Sequence, residues 1–295
     1  MTDPANPDPA RSFGGVADSY DRGRPSYPAD AAKWLVGDEP VSVLELGAGT
    51  GKLTEVLVQL GHDVFATDPD DAMLDILSEK LPDVRATSGT AEQIPTGDGL
   101  YDVVVVAQAF HWFDHAKALA EIGRVLKTDG RLAVIQNERD ERIPWVRKLG
   151  RLIGKPDSTF DPTEILDDSG LFSAVESQTF RHWQVVDRHS IQDLVQSRSN
   201  IATLEPEAQD RKRREVLAFY DDYGRGMDGM QLPYNCRAWR AQVAGPTTGV
   251  HDVAEVDETD RPTVPLAKRT DTAVRLPRVV TDPENGDDDL LIDFR

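Results

Sequence analysis

The segment VSVLELGAGTGK, residues 41–52, constrains the fold more than any other stretch of this chain. An apolar run ends on an acid, Glu45, and is followed at alternate positions by Gly47, Gly49 and Gly51 before an apolar, helix-like segment. That order reads as a strand, a tight turn and a helix start. A strand feeding a helix within a few residues needs backbone with positive φ, and a ligand lying against such a turn needs the Cβ to be absent. Glycine meets both demands. The spacing also narrows the ligand, because the dinucleotide fingerprint GxGxxG would place its third glycine at position 52, where this chain carries Lys52. Glu45 falls at the carboxyl end of the strand, where a carboxylate can accept from an amino group or order a water beside the ligand.

From this turn onward the pattern alternates. Strands are expected at 41–46, 63–67, 84–87, 102–107 and 131–136, and helices at 53–60, 71–80 and 116–126. Alternation of this kind argues for βαβ units, a mainly parallel sheet and right-handed crossovers, with the ligand at the carboxyl ends of the strands. Beyond Asn137 the pattern loosens. A helix around 145–153, a short capped helix with a glycine stop in DPTEILDDSGLF, an alternating strand at 175–186, a charged helix at 210–223 and a strand at 230–239 follow. These later strands either complete the sheet as an antiparallel pair or form a small cap over it.

The ends read differently. Residues 1–12 are polar and Pro-rich and are expected to be disordered, ahead of a domain at 13–243. The segment ADSYDRGRPSYP carries Tyr20, Arg22, Arg24 and Tyr27, with prolines that break any helix. In residues 244–295, Gly, Pro, Thr and Asp replace periodic apolar residues; a disordered acidic tail is expected, since little there offsets roughly 1–2 kcal/mol per residue of backbone ordering entropy.

Charge and cysteine content exclude several classes. A formal net charge of −19 repels phosphate backbones and anionic membranes, so neither nucleic acid nor a membrane is expected as a partner. The single cysteine, Cys236, excludes an intramolecular disulfide and a multi-cysteine metal site. The first residues do not resemble a signal peptide and no apolar run approaches membrane-spanning length, so a cytoplasmic location is expected.

Three further clusters carry chemistry. Asp68 follows the second strand in VFATDPD, about twenty residues beyond the turn with a helix between, the separation that lets an acid reach ribose hydroxyls in the same crevice. An Asp-Pro turn is the structural alternative, and Asp70 or Asp71 competes as a helix cap. Met73 either flanks an adenine or sits in the core. At the exit of the third strand, TSGTAEQIP offers Thr90, Ala91 and Glu92 to the same crevice. After the fourth, AQAFHWFDH crowds Gln108, His111, Trp112 and Asp114 into one loop. His111 and His115 have i, i+4 spacing, yet no third ligand stands nearby and no metal is expected. His111 either positions a substrate and accepts a proton or packs beside Trp112.

Together the glycine turn, Asp68, the AQAFHWFD loop and the later IGRVLKTDGRLAVI string resemble the class I S-adenosylmethionine-dependent methyltransferases. The resemblance is to the small-molecule branch that includes trans-aconitate methyltransferase-like proteins and the methyltransferase type 11 domain. It covers residues 13–137 well and extends more loosely to Trp239. It implies an α/β, Rossmann-like doubly wound sheet of seven strands with the last antiparallel, and an N-terminal helical lid. It also implies S-adenosyl-L-methionine as cofactor, with Gly47, Ala48, Gly49 and Gly51 around its methionine portion and Glu45 beside it. Asp68 would hold the ribose hydroxyls, and Met73, Thr90, Ala91 and Glu92 would border the adenine. Gln108 would meet the cofactor, and Tyr20 and Arg24 of the lid would lie near its carboxylate or the acceptor.

Methyl transfer to a small-molecule acceptor is the expected activity. A carboxylate acceptor would need no base, whereas a hydroxyl or protonated amine would need one, with His111 the first candidate. Arg22 or Arg24 could hold an anionic acceptor. A non-catalytic S-adenosylmethionine-binding protein is the alternative, and a nicotinamide-dependent oxidoreductase is disfavoured by Lys52. The chain departs from the family at Thr90, where many relatives carry an aspartate, and at Thr128-Asp129-Gly130, where a Pro-Gly-Gly turn before the fifth strand is usual and a turn is still expected.

Overall fold

The computed structural model describes residues 21–154, 160–197, 201, 204–223 and 229–244. Tyr20, residues 1–12 and residues 245–295 of the expected tail lie outside them. One seven-stranded sheet has the order β3-β2-β1-β4-β5-β7-β6. Its parallel part comprises β1 (Ser42–Leu46), β2 (Asp63–Asp68), β3 (Arg85–Ser88), β4 (Tyr101–Ala107) and β5 (Leu126–Arg139). β6 (Glu176–Val186) and β7 (Met230–Gln242) complete it, with β7 antiparallel to both β5 and β6.

Burial on both faces explains the apolar runs. Leu44, Val104 and Leu132 pack on one face, while Val43, Val103 and Ala133 pack on the other, so the central strands read as nearly continuous hydrophobic segments rather than alternating ones. Helices α1 (Ala29–Val36), α2 (Lys52–Gln59), α3 (Asp71–Lys80) and α4 (His115–Val125) flank this part of the sheet. No helix runs through the prolines of residues 24–28, as expected, and α1 starts directly after Pro28, which occupies the N-cap with φ −66°. A proline at a helix start removes no intrahelical hydrogen bond.

The expected turn at Thr128-Asp129-Gly130 is part of β5 instead. Between Tyr101↔Leu126 and Val103↔Arg131 the register shifts, so the surplus residues bulge while the strand stays extended, and the Gly130 carbonyl accepts from Val243 N–H at 2.9 Å.

Downstream, α5 (Pro144–Ile153), α7 (Ser190–Gln196) and α8 (Pro206–Tyr223) share a separate core with the first residues of β7, through Val146, Leu194, Phe219 and Met230; the short α6 (Thr163–Ser169) joins the main core through Leu166. The antiparallel strands therefore complete the sheet, and the helices around them form the cap. α7 was not anticipated: its start is held by the Asp187 carboxylate, which accepts from the N–H groups of His189 and Ser190 at 2.9 and 2.7 Å.

The N-terminal segment is tied to both halves. Asp21 pairs with Lys80 at 2.8 Å, beside the glycine turn, and Arg22 forms a two-point contact with the buried Asp193 of α7 at 3.0 and 3.2 Å. Gly23 sits against the α7 backbone, where an added Cβ would meet the Asp193 carbonyl carbon at 2.5 Å. No helix among the described residues is long and apolar enough to cross a membrane.

Candidate active site

Backbone conformation in the turn after β1 accounts for its glycines. Gly47, Gly49 and Gly51 have φ of 69°, 55° and 81°. At Gly47 an added Cβ would also come within 2.5 Å of Ala109 Cβ in the β4 exit loop, whereas at Gly49 the same position faces open space. Ala48 N–H donates to Thr67 O at 3.0 Å and Gly49 N–H to Asp68 Oδ2 at 2.8 Å, so β2 holds the turn in place.

Two carboxyl groups meet beneath it. Glu45 is completely buried; its Oε2 accepts from the Thr54 hydroxyl at 2.6 Å, and its Oε1 has no partner among the described residues. Burial, with the Asp68 charge adding to it, pushes the Glu45 pKa up to about 8. Burial also raises Asp68 to about 6, against the hydrogen bonds from Asp70 and Gly49 N–H that favour its ionised form. Asp70 itself caps α3, accepting from Ala72 N–H at 3.0 Å.

A cavity runs from this turn across the carboxyl ends of β1, β4 and β5. Glu45, Gly47, Ala48, Gly49 and Lys52 line one side, Gln108, Asn137 and Arg139 the other, with Arg24 and Tyr27 from the N-terminal segment, Leu194 from the cap and Tyr234 from β7. Gln108 is the one non-glycine with positive φ among the described residues, at 58°. Such backbone costs about 1–3 kcal/mol and persists where its surroundings enforce it. Here they do so through Gln108 N–H to Ile135 O and Gln108 Nε2 to Asn137 O, both 3.0 Å. Asn137 in turn donates from Nδ2 to Ser26 O at 3.0 Å and meets His182 Nε2 at 2.8 Å through Oδ1.

Thus the cavity gathers Arg24, Glu45, Gly47, Ala48, Gly49 and Gln108 of the expected residues. Gly51 and Asp68 support it from behind, as N-cap of α2 and as acceptor for the turn. Met73 is buried on α3, and Ala91 belongs to the main core. Thr90 bridges Gln93, and Glu92 Oε1 accepts from Asp114 N–H at 2.9 Å, which ties the third-strand exit to the start of α4. His111 lies in a one-turn 3₁₀ helix, Phe110–Trp112, with its ring 4.6 Å from that of Trp112, outside the cavity lining. His115 is occupied by the Phe110 carbonyl at 3.0 Å, and the described residues contain no cluster suited to a metal.

Asn137, Arg139 and Tyr234 were not singled out from sequence. Asn137 and Arg139 follow directly on the apolar run of the fifth strand, and that position at a strand's carboxyl end was the signal available. Tyr234 had none, because it reaches the cavity from β7, an antiparallel strand far along the chain.

The arrangement suits a ligand that lies against bare backbone and brings a cationic hydrogen-bond donor to Glu45. The turn is bare of side chains at Gly49, and Glu45 offers a buried acceptor that nothing else uses.

Residues 44–134 match the family model described as a methyltransferase domain. Over 240 residues, 80% of this chain and 98% of the relative, the sequence is 41% identical to an uncharacterized methyltransferase of Mycobacterium tuberculosis. An uncharacterized methyltransferase of Schizosaccharomyces pombe is 34% identical over 229 residues, 75% of this chain and 91% of the relative. Among solved structures, a methyltransferase of an antibiotic biosynthesis pathway from Anabaena variabilis superposes with a TM-score of 0.53 at 19% identity, covering 72% of this chain and 95% of that one. Haemonchus contortus phosphoethanolamine N-methyltransferase 2, in complex with phosphomonomethylethanolamine and S-adenosylhomocysteine, does so with a TM-score of 0.50 at 15% identity, covering 83% of this chain and 62% of that one.

Proposed function

Because the chain belongs to the S-adenosylmethionine-dependent methyltransferases, we propose that its cavity brings the cofactor's methyl group to a small-molecule acceptor held at the β4–β5 side. The observation that carries this reading is the continuity of the cavity from the glycine turn to Asn137, Arg139 and Tyr234. When bound, S-adenosylmethionine supplies an electrophilic methyl carbon: a bond forms from the acceptor atom as the carbon–sulfur bond breaks, with its electron pair retained by sulfur.

The chain's own task is alignment and exclusion of water. Gly47, Ala48 and Gly49 let backbone approach the methionine portion, and the spare Oε1 of Glu45 accepts from its ammonium group. Asp68, although engaged by two N–H groups, keeps lone pairs on both oxygens for ribose hydroxyls. Arg24 stands in the same cavity with its Nη2 donating to Ser197 O at 2.9 Å, which orients it from the cap. Gly51 caps α2 behind the methionine portion, and Met73, Thr90, Ala91 and Glu92 would border the adenine. A carboxylate acceptor attacks the methyl carbon without a proton moving; for a hydroxyl or amine acceptor His111 would have to turn in from outside the cavity lining to take the proton.

Incubation of the full chain with isotopically methyl-labelled S-adenosylmethionine and a metabolite extract, read by mass spectrometry, tests the proposal. Label is expected in a small-molecule fraction. Failure to bind the cofactor in calorimetry, or label confined to macromolecules, would sink it.

A further inference from the structure

Arg139 stands at the end of β5, two strands from the turn-bearing β1, which places it about 10 Å across the sheet from the glycine turn. Its side chain is 3% exposed. One nitrogen, Nη2, donates to Glu141 Oε1 at 3.1 Å and to Gly154 O at 3.0 Å. Those two contacts account for a structural role at the end of α5. They leave Nε, which is buried and has no partner among the described residues. A buried donor without an acceptor is costly, and native proteins keep few of them. Here the residue that carries it lines the cavity.

The surroundings select the sign of the missing partner. Arg24 and Lys52 are the other cations of the lining, and its one acid, Glu45, lies at the turn, where its Oε2 is engaged by the Thr54 hydroxyl. In a chain with a net charge of −19 this is a local excess of positive charge. Lys52 stands 3.6 Å from Asp21 on the turn side, so the β5 side depends on Arg139. Nη2, the nitrogen on the same edge as Nε, already gives its hydrogens to Glu141 and Gly154, so the free donor is the single Nε–H, which a carboxylate oxygen takes as a charge-assisted hydrogen bond. Glu141 already offsets part of the Arg139 charge, so a monoanionic carboxylate balances what remains better than a doubly charged phosphate.

We propose that Arg139 is a specificity-determining residue of the acceptor site and that it takes a carboxylate group of the methyl acceptor. This rests on the methyl-transfer reading above, and the test keeps the two apart. Full-length protein saturated with S-adenosylhomocysteine is titrated with a set of four- to eight-carbon mono- and dicarboxylic acids, each matched with its primary amide, by saturation-transfer NMR. At least one acid is expected to bind, with its amide about tenfold weaker or worse. Arg139→Gln is expected to lose that binding while its S-adenosylhomocysteine affinity stays within about twofold. Arg139→Lys, which keeps the charge and the α5 contact but not the Nε–H donor, is expected to bind about tenfold more weakly than the parent, and it decides the matter if Arg139→Gln fails to fold. Binding of no acid, equal binding of acid and amide, or full acid binding by the folded variants overturns the proposal. Failure of the parent protein to bind S-adenosylhomocysteine would instead count against the methyl-transfer reading.

Discussion

Gly49 N–H donates to Asp68 Oδ2 at 2.8 Å, so the carboxylate at the end of β2 pins the turn at the end of β1 before any ligand arrives. Its other oxygen accepts from Asp70 N–H at 2.9 Å. Asp68 therefore shapes the site, and the ribose contact proposed for it would be made from this pinned position. Asp68→Ala is expected to weaken S-adenosylhomocysteine binding by more than tenfold, about 1.4 kcal/mol or more for charge-assisted hydrogen bonds, and to lower the unfolding temperature. Asp68→Asn keeps one acceptor and should fall between the two. Calorimetry and thermal unfolding measure these, and unchanged affinity in Asp68→Ala would refute the assignment.

The two glycines on either side of Ala48 separate folding from binding. Both have positive φ, so an alanine costs about 1–2 kcal/mol at either position. At Gly47 a Cβ also collides with Ala109 Cβ at 2.5 Å, while at Gly49 it projects into open space. Gly47→Ala should be the more destabilised variant in urea unfolding. Gly49→Ala should be folded but impaired in cofactor binding beyond its stability loss. The reverse ranking would mean that no ligand lies over Gly49.

Glu45 predicts a pH signature. Its folded-state pKa near 8 exceeds the ordinary 4.5, so across that window the native state holds a proton that the unfolded chain has released. The slope of stability with pH from this group is negative there, at about 1.4 kcal/mol per unit of displacement. Glu45→Gln removes the slope. Relative to the parent, the variant should gain stability as pH rises from about 5 to about 8, measured by urea unfolding at several pH values. A constant difference across the range would show that Glu45 ionises normally.

Much of this was legible because the local signals agreed. The alternation of apolar runs and helices up to Gln136 located the parallel strands to within a few residues, since strands buried on both faces leave continuous apolar segments such as Val103 to Val106. The glycine spacing marked the turn, since only backbone with positive φ connects β1 to α2 this tightly. The cap was less legible. β6 is mostly exposed or half-buried, and α7 starts at an Asp187 turn rather than at a strong apolar stripe. At the site, residue type alone favoured His111, yet the cavity forms from Asn137, Arg139 and Tyr234, which meet through sheet order rather than sequence proximity. No periodicity reports that β7 inserts between β5 and β6.

Asn137 then becomes the residue on which closure of the site depends. Its Nδ2 donates to Ser26 O, so its Oδ1 must accept, and His182 carries its proton on Nε2 by this network. One amide thus joins the N-terminal segment to the outermost strand, with His182 stacked 5.5 Å from Tyr234. Burial lowers the His182 pKa below its ordinary 6.5, so its contribution to stability is complete above that value and is lost as pH falls through the lowered one. Asn137→Ala removes both side-chain bonds. Asn137→Asp keeps an acceptor for His182 but sets a carboxylate against the Ser26 carbonyl, and should loosen the segment at least as much. Trypsin cleavage after Arg22 reports that release, the Arg24–Pro25 bond being resistant, and is expected to accelerate several-fold in both variants, roughly in line with losing one to two hydrogen bonds of about 1 kcal/mol each. Bound S-adenosylhomocysteine should slow cleavage of the parent, because Arg24 lines the cavity it would fill. Equal cleavage of parent and Asn137→Ala would show that the ion pairs of Asp21 and Arg22 hold the segment by themselves.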